Sequence, residues 1–402
     1  MSQPIITSLL DTDQYIYTMV QAMLLKYPNA HGEFIFKDRS GKMVFDKKQM
    51  TRLRDEIGYF CDLQLNKKEL AWTSRIRYFQ PFFQEYLRLF KPNREFLSVA
   101  QDTMGCPAIL AIGPMSSVAW FEVPILRIIS HIYCNGDSEY PWVEGKNRFL
   151  EKVDYIDKNI HRDDHGFKFS DFGTRRAYSP AWHDRLIELT IETANRFFAG
   201  SSNMMLAMKY GLTPQGTMSH WWLQAHQAFG MLAESQSNAL HTWADVYQGD
   251  LGIALSDVVG FTAFLRDFNK YLAMLFEGAR HDSGDPYDWG TRLIQHYQGL
   301  GINPMTKRGV FSDGLTFQLA VDLYKYFRAM IQTGFGIGTN YTNDLGIEAP
   351  RIVIKLVRCT LDSRKPMKPV AKISDSPGKG MCDDESHLRY LKQVFLIEEG
   401  KR

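Results

Sequence analysis

Residues 277–286 read Glu277-Gly278-Ala279-Arg280-His281-Asp282-Ser283-Gly284-Asp285-Pro286. A short apolar run ends here in a cluster of polar residues and glycine, and a helical pattern follows the proline. Similar stretches recur at intervals of about 25 to 45 residues, the size of a β-strand followed by a helix. The others are Phe169 to Arg176, Gly216 to His220, Gly252 to Asp257, Val310 to Leu315 and Thr333 to Asn340. The series predicts an irregular, TIM-like α/β barrel over residues 126–345.

Strand-like and helical patterns also occur towards both ends of the chain. The predicted strands are Gly32 to Lys37, Pro107 to Gly113, Ser117 to Glu122, Arg351 to Cys359 and Pro369 to Ser374. Helices are expected from Asp11 or Thr12 to Leu25, within residues 46–96, and after Pro124. Because strands at both ends need a sheet, we expect a second, discontinuous α+β lobe formed by residues 1–125 and 346–402 and packed on the barrel.

The overall composition excludes several classes of protein. The 402 residues are 45% hydrophobic and 23% charged, with a net charge of +2. This balance gives no electrostatic case for nucleic acid, and no apolar run is long enough to span a membrane. The N-terminus lacks the pattern of a signal peptide, and five widely spaced cysteines predict free thiols. We therefore expect a cytoplasmic protein.

His220 is placed by the sequence on the first turn of a helix, where Gly216-Thr217-Met218-Ser219-His220 runs into an apolar helical stretch. The exposed N–H groups at a helix start favour a neutral, nucleophilic imidazole and stabilise an anion bound to it. A phosphoryl group on the ring is such an anion. Alone, a histidine at this position is also compatible with a purely structural role.

The polar stretches contain further candidates for binding phosphate and sugar. Gly336 and Gly338 lie in a glycine-rich stretch suited to a phosphate nest, although a tight barrel turn explains it equally well. In barrels the last two such loops commonly bind phosphate, which adds Asp313 and Gly314. The stretch from Arg280 to Asp285 can hold sugar hydroxyls or Mg²⁺ through Asp282, but its residues also favour turns. Asp257 has the same two interpretations.

Two other clusters have weaker interpretations. Phe172 with Arg175 and Arg176 could hold a flat anionic ring by stacking and charge pairing, or the arginines could simply be solvated. His161 and His165 have the spacing of metal ligands, but the surrounding charge and glycine favour a surface loop.

Together these elements resemble the bacterial nicotinate phosphoribosyltransferases, which are type II phosphoribosyltransferases. The resemblance extends through the whole chain in one order and also includes Asp11 to Tyr15 and Lys372 to Lys379. One departure is Ser201, where the resemblance favours threonine. The resemblance as a whole implies an ATP-dependent ligase of NAD salvage. Such an enzyme converts nicotinate and phosphoribosyl pyrophosphate (PRPP) into nicotinate mononucleotide and pyrophosphate. The resemblance also implies Mg²⁺ and a homodimer with shared active sites.

The resemblance implies a role for each candidate. His220, in the motif with Thr217, is transiently phosphorylated by ATP. Nicotinate lies against Phe172, Arg175 and a Tyr15 supplied by the neighbouring subunit. The residues that bind ribose, pyrophosphate and the 5′-phosphate are then Asp257, Arg280, Asp282, Asp313, Gly314, Gly336 and Gly338. Mg²⁺ arrives with pyrophosphate, and Asp282 is its candidate ligand.

Three alternatives remain open at this stage. A nicotinamide phosphoribosyltransferase shares the fold, and the ring-side arginines favour a carboxylate substrate only modestly. A barrel that binds nucleotides without catalysis is expected to lack His220 or Asp282, and both are present. A sugar-phosphate aldolase needs a Schiff-base lysine or a metal cluster, and the polar stretches contain neither.

Overall fold

The computed structural model describes residues 3–376 and 378–397. Pro377, which is part of the C-terminal stretch in the resemblance, and residues 398–402, which end the predicted terminal lobe, lie outside the described residues. The fold is mixed α/β with one parallel and one antiparallel sheet.

The parallel sheet has six strands in the order β5-β4-β9-β8-β7-β6. Its strands are β4 (Phe169–Asp171), β5 (Phe198–Ser201), β6 (Ile253–Leu255), β7 (Gly278–His281), β8 (Arg308–Phe311) and β9 (Gln332–Ile337). Five of the six predicted polar stretches follow or overlap the end of one of these strands. The exception is Gly216 to His220, which has no strand before it, and β5 was not predicted.

A closed barrel is not confirmed, because no ladder joins β5 to β6 among the described residues. The segment before His220 passes beside β5, and the N–H of Gln215 donates to the carbonyl of Ser201 (2.9 Å). Pro214 has no N–H to contribute to a ladder at this place. The predicted alternation of strands and helices is therefore present, but its strands form an open sheet with an irregular segment at the edge.

Helices surround the parallel sheet. They are α7 (Trp142–Asn159), α8 (Pro180–Ala194), α9 (Met204–Tyr210), α10 (His220–Phe229), α11 (Ser235–Tyr247), α12 (Phe261–Asp267), α13 (Lys270–Leu275), α14 (Pro286–Gly299), α15 (Phe317–Phe327) and α16 (Thr339–Thr342). Each of the strands β4, β7, β8 and β9 leads through a polar turn into the next helix, as the sequence predicts.

The antiparallel sheet combines strands from both ends of the chain in the order β11-β10-β1-β3-β2. Its strands are β1 (His31–Asp38), β2 (Leu97–Gln101), β3 (Pro107–Pro114), β10 (Ile352–Thr360) and β11 (Lys368–Pro369). β1 and β10 pair over almost their whole length. The strand predicted over 369–374 is reduced to the two residues of β11 and one isolated bridge at Lys372.

The strand predicted over 117–122 is wrong, because this segment is helical. After β3, α5 (Met115–Val118), a turn of 3-10 helix and α6 (Glu122–Tyr133) follow directly on one another. Trp120, Phe121 and their neighbours are buried without the alternation of a half-exposed strand. Pro124 lies in the first turn of α6, as predicted, where no helical N–H bond is lost.

The other helices of the terminal regions are α1 (Gln14–Lys26), α2 (Lys47–Cys61), α3 (Lys67–Thr73), α4 (Pro81–Leu89) and α17 (Glu385–Val394). α1 begins one residue after Asp13, slightly later than predicted. In residues 3–376 and 378–397 we find no helix with the length and apolar character needed to cross a bilayer.

α10 connects the two sheets. Trp221 contacts Phe34 of β1 edge to face, with ring centroids 6.1 Å apart. Gln227 exchanges two hydrogen bonds of 2.8 Å with the backbone of Ala371. These contacts fix the first residue of α10, His220, at the junction between the antiparallel sheet and the strand ends of the parallel sheet.

Candidate active site

A cavity of about 810 Å³ lies where the carboxyl ends of the parallel strands face the antiparallel sheet. Polar groups collect here because parallel strands all end at the same edge of a sheet. Nine predicted residues line it: Tyr15, Phe172, Arg175, His220, Arg280, Asp282, Asp313, Gly314 and Gly338. Asp257 lies directly beneath His220, whereas Thr217 and Gly336 do not line this cavity.

His220 stands at the centre of a buried charged group. Its Nε2 atom lies 3.0 Å from Asp257 Oδ1 and 3.2 Å from Asp282 Oδ2. The ammonium of Lys372 lies 2.7 Å from the same Nε2 and 2.7 Å from Asp257 Oδ2. We call His220, Asp257, Asp282 and Lys372 the tetrad. Nδ1 of His220, in contrast, has no hydrogen-bond partner among the described residues.

Hydroxyl groups hold the two carboxylates of the tetrad in place. Ser283 Oγ donates to Asp257 Oδ2 (2.7 Å) and accepts from the N–H of Asp375 (3.0 Å). Ser312 Oγ lies 3.1 Å from Asp282 Oδ1. Carboxylates fixed in this way cannot turn away from the imidazole, so the geometry is preorganised.

Burial and charge decide the protonation state of the tetrad. Burial lowers the pKa of His220, the Lys372 ammonium lowers it further, and the two carboxylates act in the opposite direction. Burial alone raises the pKa of Asp257, but Lys372 and His220 outweigh it and the pKa falls. The pKa of Asp282 is held well below its usual value for similar reasons. Both aspartates are therefore ionised, and His220 is neutral at neutral pH.

The tetrad also bears on metal binding. Among residues 3–376 and 378–397, His220, Asp257 and Asp282 are the one group of side chains close enough to share an ion, with ligand atoms within 4.8 Å of one another. Lys372 already lies against both carboxylates, 2.7 and 3.8 Å from their oxygens. An ion bound by all three residues has to displace this ammonium. Of the two carboxylates, only that of Asp282, whose side chain is 24% exposed, lines the cavity.

A second group of residues lies at another wall of the cavity and includes Phe172, Arg175 and Tyr15. Arg175 lies 4.0 Å from the buried carboxylate of Glu122. Burial raises the pKa of Tyr15 well above its usual value, so its phenol stays neutral. Tyr15 lines the cavity of its own chain, where the resemblance implied a tyrosine from the neighbouring subunit. The wall offers aromatic surface beside a guanidinium group.

Gly336 lies inside β9 and contacts this wall from behind. A Cβ atom on Gly336 would come within 2.2 Å of Phe172 Cδ2. The position therefore favours a packing role beneath the Phe172 ring over the phosphate contact implied by the resemblance. Thr217 lines a separate cavity inside the sheet, and its carbonyl accepts from Thr18 Oγ1 (3.3 Å).

We expect Gly336→Ala to displace the Phe172 ring and to weaken binding of the ring substrate. Filling the space under a buried ring costs roughly 1–3 kcal/mol, which corresponds to a KM increase of about 5- to 150-fold for the ring-shaped substrate that the resemblance implies. Gly334→Ala is the matched control in the same strand, because its Cβ would meet Val310 Cγ2 at an ordinary 3.6 Å. Steady-state kinetics on both variants test this. Equal kinetics in the two variants contradict the packing role.

The third group lies after β8 and β9 and has the features of an anion site. Gly314 has a positive φ of 56°, and Gly338 follows the last residue of β9. Asp313 accepts a hydrogen bond from the ammonium of Lys379. Glycines at strand ends expose backbone N–H groups, and the lysine adds a positive charge.

Several basic residues of the cavity were not singled out from the sequence. Arg39, Arg351 and Lys355 reach the cavity from the antiparallel sheet. Lys372 also lines it, but no role of its own was predicted for this lysine from the sequence. Burial lowers the pKa of Lys355 to about 7, although Glu122 acts in the opposite direction. A lysine inside the apolar strand β10 was a usable signal, because buried lysines are rare without a partner or a function.

The histidines at 161 and 165 do not form a metal site with other described residues. His161 is exposed and lies 3.5 Å from Asp163 in a surface loop, as the alternative interpretation predicted. All five cysteines are free, also as predicted.

A mixed α/β fold whose strand ends carry a histidine–aspartate–lysine group, an aromatic–arginine wall and a glycine-rich loop region suits an enzyme that binds a flat ring beside phosphate groups. Two family models match the chain, the nicotinate phosphoribosyltransferase family over residues 167–399 and its N-terminal domain over residues 10–130. The chain belongs to the nicotinate phosphoribosyltransferase family.

Individual relatives agree with this assignment. The nicotinate phosphoribosyltransferase of Acidovorax sp. (strain JS42) is 43% identical, covering 98% of this chain and 99% of the relative. That of Xanthomonas campestris pv. campestris (strain 8004) is 45% identical, covering 97% and 96%. Two crystal structures of nicotinate phosphoribosyltransferases are similar throughout. The Porphyromonas gingivalis structure has a TM-score of 0.92 at 34% identity, covering 98% of this chain and 100% of that one. The Vibrio cholerae structure has a TM-score of 0.91 at 32% identity, covering 99% and 95%.

Proposed function

We propose that this enzyme forms nicotinate mononucleotide and pyrophosphate from nicotinate and PRPP, in NAD salvage, and couples the reaction to ATP through a phosphohistidine at His220. The observation that supports this most directly is the arrangement of one cavity. It brings the tetrad, the Phe172–Arg175 wall and the Asp313–Gly314 anion site together. A pyridine ring, a ribose and phosphate groups need three such regions side by side.

The tetrad suits phosphoryl transfer to the imidazole. Nε2 carries the proton in this proposal, because two carboxylate oxygens lie within 3.2 Å of it and accept that proton. Lys372, which also lies 2.7 Å from Nε2, then directs its own protons to Asp257 Oδ2, and the lone pair is left on Nδ1. Nδ1 attacks the γ-phosphorus of ATP, the N–P bond forms, and the bond to the β-phosphate oxygen breaks as ADP leaves. Hydrolysis of the phosphohistidine then releases phosphate and restores the neutral ring.

The glycosyl step needs orientation and charge stabilisation more than a base. The ring nitrogen of nicotinate attacks the anomeric carbon of PRPP, and the bond to pyrophosphate breaks with its electron pair leaving on oxygen. Phe172 and Tyr15 offer stacking surface, and Arg175 pairs with the carboxylate of nicotinate. Asp282, with Asp257 beneath it, faces the ribose, where positive charge develops. Arg280 and the anion site hold the phosphate groups.

Mg²⁺ fits this cavity as an ion that arrives with pyrophosphate. The partly exposed carboxylates of Asp282 and Asp313 offer oxygen ligands of the kind it prefers. Such an ion neutralises the charge that develops on the leaving pyrophosphate.

Arg175→Gln is expected to reduce kcat/KM for nicotinate on the order of 10- to 100-fold, the usual range for a lost charge-assisted hydrogen bond. Nicotinamide has no carboxylate, so the reaction with nicotinamide should change much less. The neighbouring Arg176→Gln is the comparison, because Arg176 lines the same cavity but its Nε already donates to the carbonyl of Ile352 (3.1 Å). A competition assay with the two pyridines measures the preference. An unchanged preference in Arg175→Gln assigns carboxylate recognition to another residue.

The remaining proposals concern the whole molecule. The free cysteines support a cytoplasmic location. We propose the division into a lobe of residues 1–125 with 346–402 and a domain of residues 126–345, supported by the two sheets. The homodimer with shared sites rests on the resemblance alone, and sedimentation velocity tests it.

The experiment that tests the function is a steady-state assay with PRPP, Mg²⁺ and either nicotinate or nicotinamide, with and without ATP. Nicotinate-specific mononucleotide formation that ATP stimulates supports the proposal. Turnover of nicotinamide alone overturns the substrate and keeps the fold, and no product from either ring overturns the proposed activity.

A further inference from the structure

A closed ring of hydrogen bonds lies buried behind the aromatic wall of the cavity. Its members are Asp171, His183, Arg127, Asp11, Asn203 and Ser201, which come from five different parts of the chain. All six are at most 4% exposed. We call this the buried ring. None of its members lines the cavity.

Asp171, the last residue of β4, is the point where the two sides of the buried ring meet. Its Oδ2 atom lies 2.7 Å from His183 Nε2 and accepts from Ser201 Oγ at 2.5 Å. Its Oδ1 accepts from the N–H of Gly173 at 2.8 Å. The carboxylate therefore reaches the loop that carries Phe172 and Arg175.

Arg127 of α6 closes the other side. Its NH1 atom lies 3.0 Å from His183 Nδ1 and donates to the carbonyl of Thr174 (3.1 Å). Its Nε donates to Asp11 Oδ2 (3.1 Å), and Asp11 Oδ1 accepts from Asn203 Nδ2 (2.7 Å). The N–H of Asn203 donates to Ser201 Oγ (3.0 Å), which completes the ring.

The donors and acceptors determine the state of His183. Arginine can only donate, so Nδ1 of His183 accepts and carries no proton. Nε2 then carries the proton and donates to Asp171. Burial raises the pKa of Asp171, but His183, Ser201 and the N–H of Gly173 together outweigh it and lower the pKa. The ring is thus satisfied with a neutral histidine in one tautomer.

The buried ring holds both chain segments that build the aromatic wall. Asp171 and Arg127 bind the backbone of the loop 172–175 at Gly173 and Thr174. Asp11 lies just before Tyr15, and the adjacent Ser202 binds Asp13 Oδ1 through its hydroxyl (2.7 Å). No hydrogen bond or ion pair of the described residues joins a member of the ring to the tetrad.

We propose that His183 and Ser201 are positioning residues that act through the buried ring to set the affinity of the wall for the pyridine carboxylate, without a part in phosphoryl transfer at His220. The proposal rests on the proposed function, since it assumes that Phe172 and Arg175 bind nicotinate.

The test compares His183→Gln and Ser201→Ala with two controls. Ser201→Thr keeps the hydroxyl, and His226→Gln changes an equally buried histidine of α10 that bonds Trp222 and Tyr27 but lies outside the ring. Each variant is assayed for the KM of nicotinate, the KM of PRPP and the ATP-dependent labelling of His220 with radioactive phosphate. Thermal unfolding is recorded in parallel.

For His183→Gln we expect the KM of nicotinate to rise on the order of 10- to 100-fold, as for displaced binding groups in other enzymes. Ser201→Ala should raise it by a smaller factor and Ser201→Thr should restore it, while the KM of PRPP and the labelling stay within about twofold in all of them. Equal changes in both KM values, or the same changes in His226→Gln, reduce the ring to a general stability element and overturn the proposal. If His183→Gln does not fold, the comparison of Ser201→Ala with Ser201→Thr tests the proposal on its own. If the wild-type enzyme forms no product from nicotinate, the proposed function itself is overturned.

Discussion

His220→Ala is expected to abolish the ATP-stimulated part of nicotinate mononucleotide formation. The imidazole is the nucleophile that accepts the phosphoryl group, and alanine offers no substitute. The two aspartates and Lys372 stay in place, so PRPP can still bind and a basal, ATP-independent reaction can continue. ATP should therefore leave the rate unchanged in the variant, and labelling from γ-labelled ATP should fall to background.

The matched control is His226→Ala, two turns later in the same helix. It removes a buried imidazole with two hydrogen bonds at a comparable folding cost, yet it should retain ATP stimulation. Stimulation that persists in His220→Ala, or is lost equally in both variants, would falsify the phosphohistidine at this position.

The strand–turn–helix rhythm predicted the parallel sheet correctly because each strand is short, buried and followed by a polar turn. Closure of the barrel could not be predicted in the same way. It depends on pairing between β5 and β6, which are distant in sequence and are separated by a segment that contains Pro214. The helix over 115–121 was missed because a segment buried on all sides has no period that separates helix from strand.

The candidate site was predicted best where chemistry is local. His220 at a helix start and Asp282 at a strand end can be located from their neighbours in sequence. Lys372 could not, since its importance comes from its contact with His220, which lies 152 residues away along the chain. The contact of Gly336 with Phe172 could not be predicted either, because the sequence does not show which side chain packs on a glycine.

Lys372→Met is expected to have a large effect, because it removes the contact between the Lys372 ammonium and His220. Removing the ammonium leaves Asp257 and Asp282 facing each other without their cation. A buried carboxylate that loses its partner typically costs about 3–5 kcal/mol of folding stability. The nearest group that can supply a positive charge is His220, so the variant relieves this cost by protonating the imidazole.

Protonation of His220 changes the pH dependence in a definite direction. In the wild type, burial and then Lys372 lower the pKa of His220, so the ring is neutral at pH 7. Without Lys372 the two carboxylates dominate, and the pKa of His220 rises. An imidazolium has no lone pair, so ATP-dependent labelling at pH 7 should fall by about tenfold or more. Raising the pH should restore it.

The measurement is the pH profile of ATP-dependent labelling in three proteins: the wild type, Lys372→Met, and the double variant Lys372→Met with Asp257→Asn. The acidic limb should move to higher pH in Lys372→Met, because a proton must now be removed from His220. It should move back part of the way in the double variant, because one carboxylate that favours the imidazolium has become a neutral amide. Only the charge balance around Nε2 explains a shift that one substitution causes and a second reverses. A limb that stays in place in Lys372→Met means that the lysine does not keep His220 neutral, and a uniform loss of labelling at every pH assigns it a structural role alone.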